Sequence, residues 1–205
     1  MGQRRSNEIE IEGGSMFSEK MRRAQKAYCV RDWKAFKQIF EGDKKELLNN
    51  FDLVGNHALS IAIRSRDRNL FKDLLEMLSE EERWLALTKP SRGGNTILHS
   101  IAARRRVYME IIDFILDYEK EAAAALPEEE NKRRGPKLLE RKNRRGETPL
   151  FRAAAFGNLK MLHHVFHKEH FAEAAQSEGD ALKIHQYSNT ETILHASINA
   201  QHFGL

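Results

Sequence analysis

Residues 146 to 162 read Gly-Glu-Thr-Pro-Leu-Phe-Arg-Ala-Ala-Ala-Phe-Gly-Asn-Leu-Lys-Met-Leu. Thr148 offers a side-chain oxygen at a position that suits a helix N-cap, and Pro149 suits the first helical turn. Gly157 accepts the left-handed backbone conformation that ends many helices. Leu159 and Leu162 then recur at helical spacing. The stretch therefore predicts a turn, a short helix, a second turn and a second helix.

Three other segments align with this one: Gly55 to Ala62, Gly94 to Ile101 and Thr190 to Ser197. Each has an anchor residue, a leucine two positions later, and a pair that includes a small residue at five and six positions. The leucine and the pair share one helical face. A single helical pair cannot bury that face alone, so the alignment predicts stacked units. The anchors are His57, Thr96, Thr148 and Thr192.

These segments resemble the ankyrin repeat, whose signature is Gly-x-Thr-Pro-Leu-His-x-Ala-Ala. The stretch from Gly146 departs from it only at Phe151, which stands at the histidine position. The resemblance implies an all-α fold, an ankyrin-repeat solenoid of stacked helix-turn-helix units with long irregular spacers. It also implies structural roles for the signature residues, with the histidine ring hydrogen-bonding the turns. These residues are Thr96, His99, Thr148, Pro149, Thr192 and His195.

More narrowly, the chain resembles the plant ankyrin family whose members carry a C-terminal Pro-Gly-Gly domain with transmembrane helices. Arg31-Asp32-Trp33 is similar to that family's recurring Gly-Asp-Trp turn, and Gly94 to His99 is typical of its phrasing. The anchors are 39, 52 and 44 residues apart, against about 33 in a regular ankyrin unit. The Pro-Gly-Gly domain is absent from the sequence, which stops inside the last unit, so we expect an interrupted array.

The alignment also predicts the domain organisation. We expect a flexible tail over 1–17 and an ankyrin-repeat array over 18–205. Trp33, Phe36 and Phe40 are expected to face the stack in a degenerate first unit. Apolar residues make up 40% and charged residues 31%, which suits a thin, elongated array. The units lie near 18–50, 51–90, 91–120, 143–175 and 188–205, with a charged insertion at 121–142.

The resemblance implies binding rather than catalysis, since ankyrin units bind partners through their turn tips and first helices. We expect a protein–protein interaction module that acts as an adaptor or scaffold, with another protein as its partner. The alternative is the truncated ankyrin portion of a membrane-associated plant signalling and stress-response protein. The partner-binding candidates are Val54, Asn56, Arg92, Asn95, Arg145, Glu147, Asn189 and Glu191.

Catalytic and metal motifs do not assemble in the sequence. There is no phosphate-binding glycine loop, paired-carboxylate motif or cysteine ligand pattern. His99 and His195 have no nucleophile at a suitable spacing, which argues against a histidine-based hydrolase. His163, His167 and His170 share a helical face that could hold zinc, but the Glu-x-x-His order of a zinc protease is missing. We expect no enzyme, no metal and no cofactor.

A basic run from Lys132 to Arg145 lies in the charged insertion. It predicts a solvated loop; the alternatives are a two-part nuclear import signal and an anionic-lipid contact. No aromatic residue interleaves the run, which argues against nucleic acid. Gly2 fits the N-myristoylation pattern. We expect membrane contact only through Gly2 acylation, the basic loop or a missing C-terminus.

Localisation follows from two observations. Cys29 is the only cysteine, which fits a reducing compartment. No apolar run approaches the roughly 20 residues that span a bilayer. We expect a cytoplasmic protein; plasma-membrane association is the alternative, and the nucleus ranks behind it.

Overall fold

The computed structural model describes residues 18–65, 67, 69–104, 109–167 and 193–199. Within these ranges the regular structure is helical, apart from an isolated bridge between Asn50 and His57. The all-α prediction is therefore confirmed for the part of the chain that the structure describes. None of the helices in that part combines the length and apolar character needed to cross a membrane.

The first unit is a helical hairpin of α1 (Glu19–Cys29) and α2 (Trp33–Glu41), followed by a 3-10 helix (Lys44–Leu48). Asp32 ends the connecting turn and caps α2, because its carboxylate accepts the Ala35 backbone N–H at 2.9 Å. Phe36 and Phe40 are completely buried, and Trp33 packs against the core while only partly buried.

The second unit holds an additional helix. It runs through α3 (Ala58–Ala62), α4 (Leu70–Glu76) and α5 (Glu80–Thr88). Helix α5 begins with a capping box between Ser79 and Glu82, in which each side chain accepts a backbone N–H of the other. Helix α5 lies between the anchors His57 and Thr96, in residues to which the alignment assigned no helix.

The third unit consists of α6 (Ile97–Ala102) and α7 (Met109–Ala124), and α8 (Glu128–Arg133) follows. Helix α7 continues beyond the boundary near 120 that the alignment predicted. The fourth unit is α9 (Pro149–Ala155) and α10 (Leu159–His167), and α11 (Ile193–Asn199) has the position of a further opening helix.

The helices pack in two rows. The second helices α2, α4 and α7 contact one another in sequence order, and so do the first helices α6, α9 and α11. Ala102, Ala153 and Ala154 are fully buried in the row of first helices. Small side chains at these positions let the helix axes approach closely, which explains the small pair in the alignment.

The charged insertion differs from the predicted solvated loop. Leu138 and Leu139 are buried in the core, and the Leu138 backbone N–H donates to the Glu119 carboxylate at 2.7 Å. The guanidinium carbons of Arg134 and Arg141 lie 4.8 and 5.8 Å from the centre of the Trp84 ring. The two leucines hold the segment against the fold, and two of its arginines make cation–π contacts with Trp84.

Candidate functional site

Three turns precede α3, α6 and α9 and share one backbone geometry. In each, a glycine N–H donates to the carbonyl three residues earlier: Gly55 to Asp52 at 3.0 Å, Gly94 to Ser91 at 2.9 Å, and Gly146 to Asn143 at 2.9 Å. All three glycines have φ near +80°, a conformation that disfavours other residues. We call these three turns the turn ladder: residues 52–55, 91–94 and 143–146.

Side chains stabilise the first and third turns in the same way. One oxygen of Asp52 accepts the backbone N–H groups of Val54 and Asn56, both at 3.0 Å. The Asn143 amide oxygen accepts those of Arg145 at 2.9 Å and Glu147 at 3.0 Å. Both contacts are side-chain mimics of a backbone turn, which hold the tip in one conformation.

Neighbouring turns of the ladder are hydrogen-bonded to each other. The Arg92 backbone N–H donates to the Val54 carbonyl at 2.9 Å, and the Arg144 N–H donates to the Gly93 carbonyl at 3.1 Å. A Cβ atom built on Gly94 would lie 2.5 Å from the Arg144 nitrogen. Glycine is therefore required there both for its backbone conformation and for the close approach of the next turn.

The ring of His99 ties the third unit to the fourth. Its Nδ1 accepts the Thr96 backbone N–H at 3.2 Å, and its Nε2 lies 2.8 Å from the Glu147 carbonyl oxygen. Because Nδ1 accepts while Nε2 donates its proton to that carbonyl, the ring is neutral. Burial lowers the pKa of His99 to about 4, which agrees with a neutral ring.

The other signature residues cap or begin helices. The Thr148 side chain accepts the Phe151 N–H at 3.2 Å, and Pro149 lies buried in the first turn of α9. At the weaker second unit, His57 replaces threonine and caps α3 through Nδ1, which accepts the Ser60 N–H at 3.3 Å. Burial lowers the pKa of His57 to about 4, which favours the neutral ring that this cap requires.

The predicted tips fall into two groups. Val54 is 58% exposed, and Arg92 and Arg145 are also exposed. Asn56 and Asn95 are half-buried and engaged: Asn56 donates to the Asp52 carboxylate at 2.7 Å, and the Asn95 amide oxygen accepts from Asn143 at 2.9 Å.

Glu147 is not an exposed tip. The residue is only 8% exposed. Its carboxylate accepts from the Asn143 side-chain amide at 2.6 Å and from the Arg152 guanidinium at 2.8 Å. The turn directs this side chain back over α9, where the Arg152 guanidinium and the Asn143 amide donate to it.

Several predicted residues lie outside the described ranges: Gly2, Asn189, Glu191, Thr192, His170 and the side chain of His167. His195 is described, and it lies exposed on α11. His164 approaches the Asp113 carboxylate at 2.6 Å. Within the described part of the chain, no three histidine, cysteine or carboxylate side chains converge as a metal site would require.

The sequence reasoning missed two residues of this surface. Leu53 is 60% exposed beside Val54, so the first tip carries two apolar side chains. Asn143 holds the third turn in one conformation, and its side-chain amide donates to Asn95 and to Glu147. The signal for both was available, since Asp52-Leu-Val-Gly55 aligns with Asn143-Arg-Arg-Gly146 and the two middle residues of such a turn point outward.

We compared the sequence with models of protein families and with curated proteins, and neither comparison found a match. The ankyrin resemblance therefore stays a prediction.

Proposed function

We propose that the chain is a protein–protein interaction module of ankyrin repeats, which acts as an adaptor or scaffold through its turn ladder. The observation that carries this proposal is the backbone pairing of successive turns, from Val54 to Arg92 and from Gly93 to Arg144. A row of turns held in register by main-chain bonds leaves its tip side chains free to vary. Binding residues are commonly found on such loops over a rigid scaffold.

The composition of the tips supports a protein partner. Leu53 and Val54 are an exposed apolar pair in the first turn, and Arg92, Arg144 and Arg145 are exposed cations in the second and third turns. Protein interfaces combine an apolar centre with a polar rim, and arginine is enriched among the residues that carry binding energy. We expect this activity in the cytoplasm, whose reducing conditions suit a chain with Cys29 as its only cysteine.

Affinity capture with matched variants tests the proposal. Partners are captured with the wild-type chain, identified, and their affinity is then measured with purified proteins. We expect the double variant Leu53→Ser, Val54→Ser to bind about thirtyfold more weakly, since two anchors worth about 1 kcal/mol each are removed.

The control is Leu85→Ser. Leu85 is 52% exposed on α5, outside the turn ladder, so its loss should leave affinity unchanged. Equal effects of the two substitutions, or no effect of the double variant with its thermal unfolding intact, would refute the proposed binding surface.

A further inference from the structure

A second surface lies at the other end of the first helices, where the chain turns toward each second helix. Three arginines occupy these loops in successive units: Arg31 after α1, Arg64 after α3 and Arg104 after α6. They line one open cleft of about 680 Å³. Tyr28, Cys29 and Trp33 complete its walls.

The aromatic wall is fixed by its contacts. The Tyr28 ring meets Trp33 edge-on at 5.8 Å and Phe51 at 5.7 Å between ring centres. Arg64 donates to the Tyr28 hydroxyl oxygen at 2.8 Å. The Arg64 guanidinium is therefore held at the cleft by a hydroxyl group rather than by a carboxylate.

Positive charge accumulates in this cleft. Burial, and then the nearby charge of Arg64, lower the pKa of Arg104. The two nearest acidic residues in sequence have other partners: Asp32 caps α2, and Asp67 accepts the Asn69 N–H at 2.9 Å. Within the described ranges, no ion pair is formed by Arg31, Arg64 or Arg104.

The backbone of Arg31 supplies an independent observation. Arg31 has φ of 59°, and Gly157 has φ of 68° at the corresponding place after α9. The two turns make the same bond, from Asp32 to the Ala27 carbonyl at 2.9 Å and from Asn158 to the Ala153 carbonyl at 2.8 Å. Glycine suits this conformation and arginine does not. Residues held in a disfavoured backbone conformation cluster at functional sites.

We propose that the arginine cleft binds the phosphoryl group of a phosphorylated side chain on a protein partner. A phosphoryl group at neutral pH carries close to two negative charges and three strong acceptor oxygens. Guanidinium groups match this geometry with paired hydrogen bonds. Three arginines exceed what one carboxylate would neutralise, and the fixed rings of Tyr28 and Trp33 offer a surface for the adjoining part of the ligand.

The inference rests on the proposed function only for the source of the phosphoryl group, since the cleft can be tested with a small molecule. The probe is N-acetyl-O-phosphoserine amide, added to ¹⁵N-labelled full-length chain and followed by NMR. We expect saturable shifts at the residues lining the cleft, and none with N-acetylserine amide. Absence of a saturable shift at the cleft would overturn the proposal.

Two substitutions separate binding from folding. Arg31→Gly places glycine where the backbone favours it, so thermal stability should be kept or raised while affinity falls about tenfold through loss of a charged hydrogen bond. Arg104→Gln should also weaken binding by about tenfold. The control Arg133→Gln removes the same charge from the exposed face of α8 and should leave affinity nearly unchanged.

Two further outcomes would overturn the proposal. Equal weakening by Arg31→Gly and Arg133→Gln would indicate general charge attraction rather than a site. Cleft-dependent binding to vesicles that contain phosphatidylserine, without binding of the phosphoserine probe, would identify a lipid surface instead. The tip variants Leu53→Ser, Val54→Ser leave the cleft intact, so failure of the proposed function and failure of this inference are distinguishable.

Discussion

His99 and Glu147 are 48 positions apart in the chain, yet the imidazole Nε2 of His99 lies 2.8 Å from the Glu147 carbonyl oxygen. The opposite ring nitrogen accepts the Thr96 backbone N–H. One buried side chain thus forms hydrogen bonds with the backbone at the start of α6 and with the backbone of the turn before α9. The contact therefore joins the third and fourth units through a ring that is fully buried from solvent.

Replacing this ring should destabilise the fold strongly. We expect His99→Ala to lower the free energy of unfolding by about 2–4 kcal/mol, because it leaves a cavity and two buried polar groups without partners. Urea-induced unfolding measures the loss. The control Lys160→Ala alters an exposed residue of α10 and should change stability by less than about 0.5 kcal/mol. Similar losses in both variants would contradict the bridging role.

The buried histidines should make the fold acid-sensitive. The folded-state pKa of His57 and His99 is about 4, below the ordinary 6.5, because burial disfavours the charged ring. The unfolded chain therefore binds more protons between these values, and stability is lost as pH falls from 6.5 toward 4. We expect His99→Ala to show a shallower loss over this interval in urea unfolding. Parallel curves for variant and wild type would refute the assignment.

Glu119 should have the opposite effect on the pH dependence of stability. Burial raises the pKa of its carboxyl to about 7 from the ordinary 4.5. The folded state then holds the proton more tightly, so the stability that Glu119 contributes below 4.5 is lost as pH rises through 7. We expect Glu119→Gln to gain stability relative to wild type as pH rises over this interval, and the difference to level off above it. A pH-independent difference in unfolding free energy would contradict this.

Gly94 and Gly42 form a matched pair for testing the turn ladder. Gly94→Ala should cost about 2 kcal/mol or more, through its positive φ and the approach of the Arg144 nitrogen. Gly42 has φ of −82° and no atom within 4 Å of a built Cβ, so Gly42→Ala should be neutral or slightly stabilising. Thermal unfolding of the two variants measures the contrast. Equal destabilisation would show that the turns do not approach closely.

The helix starts were predictable because their signals are local. Thr148, Pro149 and Gly157 each act within a few residues of their own position, so the sequence contains the whole physical reason for α9 and its turns. His57 extends this lesson: an imidazole nitrogen replaces the threonine oxygen as the cap of α3. The weaker match to the repeat therefore forms the same turn and helix.

The packed insertion was not predictable from its charges. Its position depends on Leu138 and Leu139 entering the core and on Trp84, more than forty residues earlier, receiving Arg134 and Arg141. Such partners are brought together only by the folded chain. The burial of Glu147 has the same origin, since Arg152 becomes its partner only once α9 has formed.

The pairing of successive turns is the central claim, and amide hydrogen exchange at Arg92 and Arg144 tests it most directly. Both residues have exposed side chains, but their backbone N–H groups donate to Val54 and Gly93 in the preceding turns. The account predicts exchange at least about 100-fold slower than in an unstructured peptide for both amides, as expected of hydrogen bonds that open only with local unfolding. Exchange of both amides at the unstructured rate in the folded protein would contradict the stacked arrangement.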